Sequence, residues 1–134
     1  MTNRETLILA LIGFSIWLSG AVTFRFGGAL MFESGLPILV ASGVGVGLSV
    51  CLLLRSIMGW RKIAASQALT AAVVMTLPGL FGDVAYILNF SALTGLKPET
   101  AGPFAAVLIF GTAVLLGYGL LVTRAGVDGR QSRS

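Results

Sequence analysis

Few residues in this chain can do chemistry, and the candidates gather near the ends of long apolar stretches. Asp83 and Arg25 are the foremost of them. Each lies about 20 residues from the start of its stretch, and at ~1.5 Å per helical residue that puts both close to the far boundary of a bilayer. If those two stretches run the same way, the acid and the base meet at one depth and form an intramembrane ion pair. A charge in hydrocarbon is costly, so such a pair either fastens two helices together or forms a substrate or proton site. Glu33, just beyond the first stretch, can compete for Arg25 or join it. Tyr86, three residues after Asp83, falls on the same helix face and can donate a hydrogen bond. Pro78-Gly79 interrupts the stretch leading to Asp83. A mid-helix proline removes one backbone donor and crowds the preceding turn, so a kink or helix break is predicted there. That break serves packing, or it lines a site at membrane depth.

Other chemistry is thinly represented. The chain has no histidine and one cysteine, Cys51. That removes an intrachain disulfide, most zinc and haem sites, and the Ser-His and Cys-His nucleophile pairs. No metal site and no cofactor are expected. The net charge of +4 raises the question of nucleic acid. The basic residues sit at the ends of apolar stretches rather than on a face with aromatics, so no nucleic-acid partner is expected and membrane topology explains the charge.

The elements that position these residues are four apolar stretches: Thr6–Phe24, Ser34–Leu54, Ile63–Gly82 and Thr100–Thr123, none holding a charged residue. Each is long enough to cross a hydrocarbon core as a helix. Hydrophobic residues make up 56% of the chain and the mean hydropathy is +0.96, so little is left for a soluble domain. The predicted fold is therefore all-α. It is an integral membrane bundle of four transmembrane helices occupying residues 1–124, with spans at about 6–26, 35–55, 63–88 and 101–123, and a flexible polar cytoplasmic tail at 125–134. A cleaved leader is the rival reading of the first span. Its apolar run is long for a leader, and a retained helix is expected.

With four spans, Arg4, Arg55, Arg61, Lys62, Arg124, Arg130 and Arg133 fall on one side, against Arg25 and Lys97 on the other. The positive-inside rule then puts both termini in the cytoplasm. The loops are expected at Phe26–Gly35, Arg55–Lys62 and Asn89–Ala101, the last long enough for a short interfacial helix or a turn.

Membrane helices associate by close backbone approach, and every span carries small residues suited to it. Gly13 and Gly20 lie seven apart in the first span, Gly43 and Gly47 four apart in the second, and Gly117 stands in the fourth. These glycines are expected to pack helix on helix inside the bundle. The alternative is a homodimer through the Gly43–Gly47 face.

Trp17, Thr23-Phe24-Arg25, Pro78-Gly79-Leu80-Phe81-Gly82-Asp83 and Asn89-Phe90 together carry a resemblance. The combination resembles an uncharacterised family of small bacterial four-helix membrane proteins classed as a domain of unknown function. The resemblance implies the four-helix topology over essentially the whole chain. It draws attention to Arg25, Pro78, Gly79 and Asp83, and implies no activity. Small multidrug resistance transporters differ in carrying a glutamate inside the first helix, where this chain has no acid.

The expected function is that of a non-enzymatic accessory or structural subunit of a membrane assembly in the bacterial inner membrane, touching lipid and a protein partner or a second copy. The alternative is a small transporter or channel, possibly dimeric, using the Arg25–Asp83 region and the Pro78 break. A transporter predicts a polar cavity reaching from Asp83 toward the midplane, lined by groups such as Ser15, Ser19, Thr23 and Thr76. An accessory subunit predicts a dry bundle with one smooth small-residue face. An enzyme requires nucleophile and acid–base groups within reach of one another, and no such set is evident.

Overall fold

The computed structural model describes residues 2–133. Met1 and Ser134, the outermost residues of the two predicted regions, lie outside them. Five helices follow in order: α1 Asn3–Phe32, α2 Leu36–Arg61, α3 Ala68–Leu88, α4 Phe90–Thr94 and α5 Ala101–Arg133, with 3-10 turns at Ala65–Gln67 and Pro98–Thr100. No strand occurs among the described residues. Four helices are long and apolar enough to cross a membrane: α1, α2, α3 with its preceding turn, and α5. The chain is an all-α membrane bundle of the predicted kind.

Element boundaries follow backbone conformation more than hydropathy. Thr2 caps α1, its hydroxyl accepting the Glu5 N–H at 3.1 Å. The helix then runs through Arg25 and Gly27-Gly28, six residues past its predicted end. Glycine weakens a helix by only ~1 kcal/mol and does not stop one held by packing. Three loops reverse the chain, and each contains a positive-φ residue: Gly35 (φ 112°), Lys62 (φ 54°) and Gly95 (φ 73°). The predicted basic turn at Arg55–Lys62 is helix as far as Arg61, because arginine is a good helix former and the left-handed backbone begins only at Lys62.

Three further expectations are corrected. The third span does not start as helix at 63; the chain passes through a 3-10 turn first, and α3 opens at Ala68. Pro78 lies inside α3, which continues unbroken to Leu88, so Pro78 and Gly79 make no helix break. In place of a flexible tail, α5 continues as helix to Arg133. Gly126 seats its backbone against Ala65 and Ser66 of the 3-10 turn, which anchors this last section to the body.

The bundle is built around α3, which packs on α1 and α5, while α5 packs in turn on α2. The contact between α1 and α2 is slight by comparison. Near the termini the core is made of small and aliphatic residues, with Leu9, Leu54, Ala68, Ala71 and Ala72 wholly buried. At the opposite end it is aromatic. Phe104 is 1% exposed, and the rings of Phe90, Phe24, Phe32 and Tyr86 surround it at 5.0, 5.2, 5.3 and 5.4 Å between centroids.

Glycines set the closest approaches. A Cβ on Gly13 would run into the backbone of Met75, and one on Gly119 would crowd Ala72 and Leu69, so α3 meets both neighbours backbone to backbone. Gly43 and Gly47 face Val107, Phe110 and Val114 of α5. That face is occupied within the chain and is not free for a second copy. Gly20 and Gly117 pack against no other helix: the nearest atom to a Cβ on Gly20 is in its own helix, and around Gly117 there is open space.

Both ends of the bundle are tied by acids of α1 or its cap. Glu5 accepts a bidentate pair of hydrogen bonds from Arg61 at 2.9 and 2.8 Å, joining the start of α1 to the end of α2. Glu33 accepts from the Thr100 hydroxyl at 2.8 Å and the Lys97 N–H at 3.2 Å, joining the end of α1 to the start of α5. The Thr100 bond first, then the Lys97 bond, lowers the Glu33 pKa below the ordinary glutamate range.

Substitution at three positions checks this packing and the tie at Glu33. Gly13→Ala destabilises the bundle by about 1–3 kcal/mol through overpacking. Gly117→Ala is neutral or adds up to ~1 kcal/mol of helix propensity. Unfolding titrations in detergent separate the two. Glu33 has its pKa depressed in the folded state, so its contribution is complete above the unfolded value of ~4.3 and disappears as pH falls through the lower folded value. Thermal midpoints of wild type and Glu33→Gln therefore differ at pH 7 and converge toward pH 3.

Candidate functional site

Trp17 lies midway along α1, on the face turned to α3. Its indole lies across Gly79 and Gly82, where an added Cβ would come within 3.0 and 2.6 Å of indole atoms. The two glycines sit three apart on one face of α3 and form a notch the width of the ring. This gives the Pro78-to-Asp83 run a structural role: its glycines admit the tryptophan, and its aspartate receives the tryptophan's polar edge. The indole Nε1–H donates to Asp83 Oδ1 at 2.7 Å. That length is at the short end of the ordinary N–H···O range. The Trp17 ring also meets Phe14 at 5.7 Å and the edge of Tyr86 at 6.2 Å between centroids.

Arg25 is elsewhere. Its guanidinium lies against Gly95, at the loop end of the bundle. Among the described residues the one salt bridge is Arg61–Glu5, so the expected Arg25–Asp83 pair does not form. The reason is register. Facing residues of α1 and α3 are separated by 62 to 66 positions, as in Gly13 and Met75, Trp17 and Asp83, and Ala21 and Tyr86. An Arg25–Asp83 pair needs a separation of 58. The late start of α3 moves Asp83 down the bundle by one to two turns, to the level of Trp17. Tyr86 shares the aspartate's helix face but donates its hydroxyl to the Ala21 carbonyl at 3.2 Å. Glu33 stands at the loop end with Thr100 and Lys97 and joins neither Arg25 nor Asp83.

A cavity of about 560 Å³ opens beside this cluster, lined by all four crossing helices. Asp83, Tyr86 and Phe104 line it from α3 and α5, and Trp17 and Phe24 from α1. Its mouth is the seam where α1 and α2 stand apart. Gly20 and Thr23 line one edge and Ser42, Gly45 and Ser49 the other. A smaller chamber of about 140 Å³ continues past Trp17 and Asp83 toward Met75 and Thr76. Among the described residues, no hydrogen bond holds the second oxygen of Asp83 or the hydroxyls of Ser42 and Ser49. The Thr23 and Thr76 hydroxyls bond their own helix at Ser19 and Ala72. Ser15 and Ser19 line a separate outer groove near Trp60. The polar cavity expected of a transporter, lined by Ser15, Ser19, Thr23 and Thr76, is therefore not what forms: the space is mostly apolar, with one carboxylate at its wall. No group of acids, histidines or cysteines able to hold a metal occurs among the described residues.

The family model for the family of unknown function DUF5367 matches residues 30–125. The chain belongs to that family. The matched stretch contains α2 to most of α5, with Pro78, Gly79, Gly82 and Asp83, and begins after Trp17 and Arg25. No curated protein and no solved structure matches the chain.

Reading the residues singly does not pair Trp17 with Asp83. The usable signal is chemical: an indole N–H inside an apolar span needs an acceptor, and Asp83 is the one acid in the interior of the third span. Two glycines just before that acid mark where a large ring fits.

Gly82→Ala is expected to push the indole off its seat and lower stability by about 1–3 kcal/mol. Combining it with Trp17→Phe, which removes the crowded ring edge, should cost less than the two single changes added together. Unfolding titrations of the four proteins in detergent give that comparison.

Proposed function

We propose that this membrane protein is a small, non-enzymatic carrier whose working site is the Asp83 cavity. One observation carries the reading: an aspartate within a transmembrane helix, with one oxygen held and the other open, at the wall of a cavity lined by four helices. A carboxylate serving only to fasten helices has its acceptors used up by its neighbours, because unsatisfied polar groups in hydrocarbon are expensive. Here one donor positions the group and half its capacity is left for something else. The seven-to-two bias of basic residues supports an orientation with both termini in the cytoplasm. Neither Arg25 nor a Pro78 break enters the mechanism in this reading. The carrier works by exposing Asp83 through the loosely packed seam between α1 and α2.

The test needs no knowledge of the substrate. In a Cys51→Ala background, Val46→Cys places a thiol inside the cavity and Leu48→Cys places one on the lipid side. Thiolate forms only where water reaches, and a carrier hydrates its site when it opens to either face, so in proteoliposomes a water-soluble methanethiosulfonate labels the Val46 variant roughly tenfold faster. Equal, slow labelling of both means a dry bundle. The carrier reading then fails, and an accessory subunit of a larger membrane assembly becomes the better account.

A further inference from the structure

The cavity wall also specifies what kind of molecule fits, and this inference rests on the carrier reading above. We propose that the Asp83 cavity takes a lipophilic monocation, a molecule with an apolar or aromatic body and a single positive charge, entering sideways from the bilayer.

Three features define that chemistry. The first is charge. Asp83 is the one acid in the interior of the bundle; Glu5, Glu33, Glu99 and Asp128 all lie near its ends. Among the described residues no cation neutralises Asp83: the Arg25 guanidinium is against Gly95, Arg61 is engaged by Glu5, and neither residue lines the cavity. A single open carboxylate oxygen in an apolar wall attracts one positive charge and repels an anion, and a second charge on the ligand would have no partner.

The second feature is the surface around the acid. Trp17 and Phe24 bring partly exposed aromatic rings to the space, with Tyr86 and Phe104 nearly buried behind them. Ring faces attract cations and bury flat apolar bodies. Trp17 has its polar tip committed to Asp83, so it offers the cavity mainly ring surface. The volume, about 560 Å³, lies within the range that encloses a small organic ligand.

The third feature is the way in. Gly20 has only its own helix within 4 Å of an added Cβ, and Gly45 has nothing. Gly13, Gly47, Gly111 and Gly119 bring helices into contact. On the α1–α2 seam Gly20 and Gly45 border a slot instead. The slot is flanked by exposed apolar side chains such as Val22, Val44 and Leu48, so it opens to the region where lipid lies. A molecule that partitions into the bilayer reaches Asp83 by that route without crossing the polar ends.

The test uses two ions of the same shape and opposite charge, tetraphenylphosphonium and tetraphenylborate. Full-length protein in phosphatidylcholine nanodiscs is titrated with each, and bound ligand is measured by equilibrium dialysis against empty discs. The expected result is saturable binding of the phosphonium at one site per chain and only disc-level partitioning of the borate. Asp83→Asn should weaken phosphonium binding roughly thirtyfold or more, as loss of one partner of a desolvated charge pair does. Gly45→Leu is the second variant. It leaves Asp83 untouched and projects a side chain into the open slot, so it should also abolish or strongly slow binding while the helix content by circular dichroism is unchanged. Equal binding of both ions overturns the proposal, and so does phosphonium binding that neither variant alters. No phosphonium binding, in a protein whose Val46→Cys variant labels rapidly, rejects the monocation and leaves the carrier. Slow labelling of Val46→Cys rejects both.

Discussion

A carboxylate inside a hydrocarbon layer must be partnered, and the Trp17–Asp83 hydrogen bond meets that requirement in a way that organises the rest of the bundle. The indole is the widest side chain in the α1–α3 seam. For its N–H to reach the acid at 2.7 Å, the ring must lie flat on α3, and Gly79 and Gly82 provide the only kind of surface that permits it. One turn away, Gly13 brings α1 down to the backbone of Met75. These contacts fix both the spacing of α1 on α3 and their relative height. The height then places Arg25 beyond the cavity and leaves Asp83 without a cation.

The two halves of the bundle are built on different packing physics. Near the termini, alanines and glycines let helices touch, with close dispersion contact and little side-chain entropy to lose. At the loop end, rings around Phe104 fill a wider space, since five aromatic groups cannot pack with helices at glycine distance. The cavity lies where one regime gives way to the other. There α1 is held to α3 and α2 to α5, while α1 and α2 touch only slightly and have small residues on their facing edges. Because the family match begins at residue 30, it spans the acid and its glycines without the tryptophan that seats on them.

Much of the architecture is legible in the residues. Four uncharged stretches of membrane length specify four helices, because in lipid every backbone group must find its partner within the segment or its bundle. The importance of Asp83 is legible for a similar reason: an acid so placed is costly. Its partner is not legible in the same way. Counting both spans from where their apolar runs begin puts Arg25 level with Asp83. Hydropathy cannot tell that Ile63 to Gln67 pass through a turn before the third helix starts, since that segment carries no charge to interrupt the apolar run. The same blindness hides the persistence of α5 past Arg124, which depends on Gly126 meeting Ala65.

The glycines divide along the same line. Their abundance announces close packing, but the sequence does not say which of them touch. Gly43 and Gly47 meet α5, Gly13 meets α3, Gly20 borders the slot, and Gly117 faces open space. By itself the sequence determined the class, the number of helices and the single interior acid, because those depend on transfer from water to lipid, residue by residue. Only the tertiary structure decided the helix register, the indole on Asp83, and the gap between α1 and α2. Those depend on how steric surfaces far apart in the chain fit together, and a slip of one or two turns leaves hydropathy unchanged while it exchanges one partner for another.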